Sequence, residues 1–291
     1  MDIKKLIENE FNLKITKIEK MGEGLESEAF LVNNTFIFKH SKHSEAFKSM
    51  AKEVEALNYL NGKISIDIPK IEFYSQEHHI SGYKLVEGKI LTPELFNGFT
   101  ETEQENLAKD IALFVKEMHA LKLPDIEDLE INVLEDYKSD YEYLKENIYS
   151  LLPIESQNYL DNLYKSILNN ENIINYKKVL CHNDLSCNHI LIKNNKLSGI
   201  IDFGDVAITD ADKDFVYLLE QSDEEIGREF GLKVLKYYNQ TNIESAVWKS
   251  DLNDMYYPIE QTICGKNIGD DKMFNEGLNK IKKFKGEFIW K

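Results

Sequence analysis

Only three cysteines occur in the 291 residues, and so few, in an odd number, exclude a disulfide framework as the source of stability. No apolar run approaches the roughly 18 residues needed to span a bilayer. The opening segment MDIKKLIENEF lacks the apolar core and small-residue cleavage site of a secretory signal. Positive charge is also scarce: 35 lysines and arginines face 51 aspartates and glutamates, a formal net charge of −16. Such a surface repels nucleic acid and anionic membranes and attracts cations, although net acidity alone is most simply a solubility device. Internal repeats and low-complexity linkers are missing too. These absences lead us to expect a cytoplasmic monomer with reduced thiols and no nucleic-acid or membrane partner. What remains is ordinary globular composition, 42% hydrophobic and 30% charged, at a length that permits one large domain or two lobes.

The first ninety residues read as strands around one helix. LKITKIEKMGEG alternates apolar and polar residues before a glycine pair, and EAFLVNN and TFIFKH form two short strands with the asparagine pair as their turn. SEAFKSMAKEVEALNYLNG has helical spacing at Phe47, Met50, Val54, Leu57 and Leu60, with Gly62 as its stop. PKIEFYS and HISGYKLVEG complete the strand set. After Gly88 the pattern becomes helical. Thr100 and Glu103 make a capping-box pair, and Leu107, Ile111, Phe114, Val115 and Met118 form one apolar face. Helical stretches around 136–151 and 156–169 follow, and KLSGIIDFGD reads as a buried strand entering a turn. The last seventy residues read as helices ending in the basic KIKKFKGEFIWK, most simply a solvated helix face. The layout is an α+β chain: a small antiparallel-sheet lobe over 1–86 with one helix, a connection near 84–88, and a larger, mainly helical lobe over 87–291. A cleft between two such lobes is a natural ligand site.

CHNDLSCNHILI, residues 181–192, concentrates the chemistry. As a zinc knot it offers Cys181, His182, Cys187 and His189, but C-H-x4-C-x-H is not the paired spacing of structural zinc sites. As a catalytic loop it offers H-x-D, a metal-competent side chain five residues after the aspartate, and an apolar strand. Asp202, in GIIDFGD, follows thirteen residues after His189. A base aspartate, a metal ligand and a second aspartate on a following strand are the parts that phosphoryl transfer needs, and IDFGD resembles the kinase D-F-G signature. Upstream, GEGLESEAFLV is a glycine-containing turn between strands, suited to lying over phosphates, although such a turn is usually only a hairpin. Lys39 sits within an apolar strand, where a lysine is unexpected without a partner, and Glu53 on the following helix is the natural counterion.

HNDLSCNHILI, LSGIIDFGDVAITDADKDFVYLLE and GYKLVEGKILTPE resemble the aminoglycoside phosphotransferases, most closely those that act on the 2''-hydroxyl in bacterial antibiotic resistance. The likeness runs from about residue 15 to the C-terminus. It implies a bilobal protein-kinase-like fold and transfer of a nucleoside triphosphate γ-phosphate to an aminoglycoside hydroxyl. By this resemblance Asp184 is the catalytic base, His189 and Asp202 hold Mg2+, and Lys39 with Glu53 positions the α- and β-phosphates under Gly22, Gly24 and Ser27. Ser27 stands where protein kinases carry a third glycine. His189 replaces the usual asparagine, and an imidazole is a softer ligand for Mg2+ than an amide oxygen. His182 is expected to orient the loop by hydrogen bonds.

The same resemblance makes SGYKLVEG the hinge, with the backbone of Lys84 and Val86 meeting the purine and Tyr83 at the gate of the pocket. A bulky gate residue disfavours adenine in the deep site, so GTP is the preferred donor over ATP. Aminoglycosides are polycations, and the chain offers a run of acids after Asp202. The family's drug contacts carry onto Asn183, Asp205, Tyr217, Glu220, Glu224, Glu225 and Tyr257. Ser222 and Glu225 could equally cap the next helix, with the acids at 223–225 complementing its dipole. Asp210, Asp212 and Asp214 read alternatively as surface acids or structural caps, and His119 as a core or interface histidine. Two rival functions stand beside this one: a kinase of the same fold acting on a small cation such as choline, and a catalytically silent nucleotide-binding module.

Overall fold

A computed structural model describes residues 2–286. The chain runs α1 (Ile3–Phe11), β1 (Ile18–Glu23), β2 (Ser27–Val32), β3 (Phe36–Ser41), α2 (Ser44–Leu60), β4 (Ile71–Ser75) and β5 (Ile80–Lys84) through its N-terminal region. These five strands form one antiparallel sheet in the order β1-β2-β3-β5-β4. The turn between β2 and β3 is set by Asn33 and Asn34, both at φ 53, with the Thr35 amide donating to the Val32 carbonyl. That is a type I′ turn, whose twist suits a hairpin and whose left-handed residues favour asparagine. One helix was expected here, and there are two. α1, capped by Asp2, buries Ile7 against Val32, Phe38 and Ile80. Its apolar positions 3, 6 and 7 carry helical spacing, but over so short a segment they are easily passed over.

The remaining elements are β6 (Lys89–Ile90), α3 (Pro93–Asn97), α4 (Glu101–His119), α5 (Val133–Asn147), α6 (Ile154–Leu168), α7 (Glu171–Ile174), β7 (Lys178–Cys181), β8 (Ile190–Lys193), β9 (Lys196–Ile200), β10 (Ala207–Asp210), α8 (Arg228–Tyr238), α9 (Ile243–Ile268) and α10 (Asp271–Ile281). The fold is α+β, with the larger sheet in the N-terminal region and most helices in the C-terminal one. The Thr100–Glu103 capping box forms in both directions, satisfying two orphan donors of α4, and a cap of this kind is worth about 1 kcal/mol. Leu107, Ile111, Phe114, Val115 and Met118 are all buried along the same helix, in the core that also holds Leu185, Ile190 and Phe203. That core is the rigid bed under the 181–203 segment. α10 stops at Ile281, so the basic stretch from Lys282 lies beyond the helix, and residues 287–291 of that segment lie outside the described residues.

Two small sheets present the chemistry-bearing loop. β7 pairs with β10, and β8 pairs with both β6 and β9. The β8–β9 turn repeats the asparagine device, with Asn194 and Asn195 at φ 55 and 58. Gly199 in β9 allows a close crossing: a Cβ there would lie 2.5 Å from Val86 Cγ1 and 2.9 Å from the Asp67 carbonyl.

Candidate active site

Between β7 and β8 the chain forms an irregular loop ending in one tight turn, Cys187–His189. Asn183 takes φ 68, a left-handed conformation that costs a non-glycine residue roughly 1 kcal/mol or more. Asp214 holds it there. Its Oδ1 accepts the Asn183 amide at 2.7 Å, and its Oδ2 accepts the His182 amide at 3.2 Å. Asp214 is fully buried and also accepts from His119 Nε2 at 2.9 Å, while His119 Nδ1 meets the Tyr238 hydroxyl at 2.8 Å. His182 Nε2 donates to the Ile201 carbonyl at 3.0 Å, and its Nδ1 accepts the Asp184 amide at 3.3 Å. That second bond requires an unprotonated Nδ1, and burial pushes the imidazole down to about 4. The Asp184 carboxyl, 27% exposed, therefore projects from a loop pinned at three amides.

His189 Nδ1 lies 2.8 Å from the Asp184 carbonyl oxygen. A carbonyl can only accept, so Nδ1 donates to it, and the ring turns its Nε2 toward Asp202 Oδ2 at 3.6 Å. Asp202 itself has φ 63 at the head of Phe203, which is fully buried and packs against His182 and Phe114. Burial raises the Asp184 carboxyl to about 6; His189 opposes this, and Asp205 and Asp202 add to it. For Asp202 burial acts the same way, but Lys39 and His189 outweigh it and hold the carboxyl at about 2.

Lys39 Nζ bonds Glu53 Oε1 at 2.7 Å and Asp202 Oδ1 at 2.9 Å. Burial alone would lower the ammonium, but the two carboxylates keep it charged. These three residues, with Gly24, Ser27, Gly204 and Asp205, line a cavity of about 330 Å3. Gly22 and Gly24 keep negative φ, and a Cβ at Gly22 would meet nothing within 4 Å, so neither glycine is demanded by this backbone. Tyr83, Lys84 and Val86 lie outside that cavity's lining. Tyr83 is 6% exposed, opposite Ile37 in the sheet. The Leu85 amide donates to the Thr35 carbonyl, so by strand alternation the Lys84 amide turns to the opposite edge, while Val86 lies beyond the end of β5.

Beside Asp184 opens a cavity of about 700 Å3, lined by Asp184, His189, Tyr217, Glu220, Glu224, Glu225 and Tyr257 among others. Asn183 and Asp205 do not line it. They line an adjoining cavity of about 240 Å3, which shares Asp184 and Tyr217 with the larger one. Glu225 does not cap a helix with Ser222: α8 begins only at Arg228, and Ser222 and Glu225 lie in an intervening turn. Glu225 is buried, its carboxylate accepting the Cys187 amide at 3.1 Å, and burial pushes it up to about 7. The surface reading of Asp210, Asp212 and Asp214 is likewise wrong. All three are buried; Asp210 caps the turn that follows it, and Asp210 and Asp212 share Lys249 at 2.5 and 2.7 Å.

The zinc-knot residues do not converge. Among the described residues the one His, Cys, Asp and Glu group with ligand atoms within 4.8 Å of one another is His119, Cys181 and Asp214. Sequence reasoning passed over Asn253, Asp254 and Glu260 of α9. Asn253, Tyr257 and Glu260 fall at i, i+4 and i+7, one helix face, and that spacing was the available signal. Burial, with Glu220 and Asp251 adding to it, raises the Asp254 carboxyl to about 6.

A family model described as phosphotransferase enzyme family, APH, matches residues 17–248. The chain is similar to the gentamicin complex of APH(2")-IIa, at 32% identity and a TM-score of 0.89, over 98% of this chain and 99% of that one. It is similar to ADP-bound aminoglycoside phosphotransferase APH(2'')-Ib at 31% identity and 0.87, over 98% of each chain. A complex of APH(2")-IIIa with GDP and kanamycin follows at 26% and 0.83, over 97% of each.

Proposed function

We propose, on the premise that this chain belongs to the aminoglycoside phosphotransferase family, that it transfers the γ-phosphate of GTP, or of ATP, to the 2''-hydroxyl of gentamicin- or kanamycin-type aminoglycosides and so confers resistance. The observation that carries this reading is the placement of Asp184. It lines a cavity walled by Glu220, Glu224, Glu225 and Asp254, and His189 joins it to the Lys39-bound Asp202, with Nδ1 3.4 Å from Asp184 Oδ2 and Nε2 3.6 Å from Asp202 Oδ2. A polycation with many hydroxyls suits such a wall.

In this reading residues 1–86 form the nucleotide lobe and 87–291 the catalytic and acceptor lobe. The loop from Gly22 to Ser27 covers the phosphates, Lys39 neutralises charge on them, and Glu53 holds Lys39 in place. The backbone of Lys84 and Val86 receives the base, and Tyr83 at the gate favours a guanine bound further out. Asp184 accepts the proton of the attacking hydroxyl as its oxygen bonds to phosphorus and the nucleoside diphosphate oxygen leaves. Asn183, Asp205, Tyr217, Glu220, Glu224, Glu225 and Tyr257 hold the drug.

His189 and Asp202 fit Mg2+ in one respect: His189 Nε2 and an Asp202 carboxylate oxygen converge to 3.6 Å, and this metal commonly takes one or two protein ligands plus phosphate oxygens. When bound, the ion supplies charge neutralisation at the phosphates. Positioning and electrostatics account for the rest of the rate.

The test is incubation of purified protein with GTP or ATP, Mg2+, and a panel of aminoglycosides and choline. Phosphate transfer to kanamycin that disappears in Asp184→Asn supports the reading. Transfer to choline alone selects the small-cation kinase, and nucleotide binding with no acceptor selects the silent module.

A further inference from the structure

The polar floor of the acceptor side continues past Asn183. The 240 Å3 cavity beside Asp184 shares Asn183, Lys213 and Glu260 with an inner one of about 290 Å3, which Asp136 and Ser139 line from exposed positions. α5 supplies Asp136 and Asp140 to this inner cavity, β10 supplies Thr209, and α9 supplies Glu260. Thr209 is 1% exposed, and among the described residues its Oγ1 is the one buried side-chain nitrogen or oxygen without a hydrogen-bond partner. A buried hydroxyl left unsatisfied is costly, and native proteins rarely tolerate one unless something meets it there.

The charges around it are unbalanced. Three carboxylates face a single lysine, Lys213. Asp140 accepts the Tyr256 hydroxyl at 2.8 Å. Burial pushes the carboxyls of Asp136, Asp140 and Glu260 up, a penalty that an arriving cation would relieve. Asn253 and Glu260, seven residues or nearly two turns apart, lie on one face of α9, so a single helix face spans the outer and inner cavities.

We propose that the inner cavity is a second ammonium subsite of the acceptor, where Glu260 and Asp136 receive a protonated amine and the Thr209 hydroxyl bonds a neighbouring polar group of the same amino sugar. This rests on the functional reading above and deepens it. The acidic wall of the 700 Å3 cavity attracts any polycation, whereas the inner cavity recognises one particular amine. Acceptors are then sorted by whether they carry that amine rather than by total charge.

Glu260→Gln and Thr209→Val test this against kanamycin and congeners that exchange one amino group for a hydroxyl. Glu260→Gln should raise KM about tenfold for the acceptor bearing the recognised amine, leave the congener lacking it nearly unchanged, and leave the nucleotide KM alone. Thr209→Val, close in shape, should raise the same acceptor KM several-fold yet raise Tm without acceptor, because it removes the unpaired hydroxyl. Equal shifts for every congener, unchanged acceptor constants, or a lowered Tm in Thr209→Val would overturn the proposal. Kanamycin binding measured by calorimetry keeps the two readings apart. If wild type binds without transferring phosphate, the transfer reading falls, and the same variant comparisons on Kd still decide the subsite. If wild type neither binds nor transfers, both fall.

Discussion

Asp214 Oδ1 accepts the backbone amide of Asn183 at 2.7 Å, and through that bond a buried carboxylate thirty-one residues downstream holds the loop next to Asp184 in a left-handed turn. An asparagine at 214 would oppose an amide donor to amide donors and remove the charge that binds them. Asp214→Asn should lower kcat about 100-fold and cost about 3 kcal/mol of stability. Steady-state kinetics and urea unfolding measure both, and a kcat within twofold of wild type would show that the loop holds itself.

Lys39 sits between Glu53 and Asp202, and removing it strands Glu53 in the interior. Lys39→Met should destabilise by about 3–5 kcal/mol, as broken buried pairs do. Lys39→Met/Glu53→Leu should regain much of that loss while remaining inactive. Recovery of activity along with stability would separate Lys39 from phosphate transfer.

Tyr83 is almost wholly buried at the end of β5. If its bulk sets the donor preference, Tyr83→Ala should lower KM for ATP several-fold relative to KM for GTP. Parallel shifts for the two nucleotides would place the preference elsewhere.

If the acidic cavity holds a polycationic acceptor, Glu225 and Asp254, raised to about 7 and about 6, should give its binding a defined pH dependence. Both are acids, charged above those values and neutral below, so attraction for a polycation is present at pH 8 and is lost as pH falls through 7 and then 6. Acceptor KM should therefore rise between pH 8 and pH 5.5, and Glu225→Gln should flatten the upper part of the curve. Stability runs in the opposite sense. A carboxyl raised in the folded state favours folding at low pH and loses that contribution as pH climbs through about 7. Glu225→Gln should therefore raise Tm at pH 8 more than at pH 5.5.

Cys181 and Cys187 are buried, and burial pushes both thiols up, while Cys264 is only partly covered. A thiol reagent at pH 8 should label about one cysteine in the native protein and all three after denaturation. Rapid native labelling of two or more would contradict the packing around β7.

Local chemistry was legible in advance. The Thr100–Glu103 box, the Asn33–Asn34 turn and the Phe47-to-Leu60 spacing each follow from residues within a few positions of one another. The Lys39–Glu53 contact, at a separation of fourteen, was read from a lysine stranded in an apolar strand. What stayed hidden depends on distant segments meeting. Ser222 and Glu225 match a capping pattern, yet Glu225 is drawn away to the Cys187 amide, thirty-eight residues back. Asp214 looked like one acid in a run of acids until its partners His119 and Asn183 arrived from other elements. Thr209 gives no sign in the sequence that its hydroxyl ends beside a cavity formed by α5 and α9.

The paired asparagines at 33–34 and 194–195 have a consequence for the order in which the molecule assembles. Each closes a hairpin whose contacts are local, and hairpins form within about 1–10 μs. The Lys39–Asp202 bond joins residues 163 apart and needs both hairpins and the intervening helices in place first, so its loop-closure entropy is met late. Secondary structure should consequently return in refolding well before phosphate transfer does. On that order a newly made chain should be nearly native in outline before it is active, which stopped-flow circular dichroism beside an activity regain assay would check.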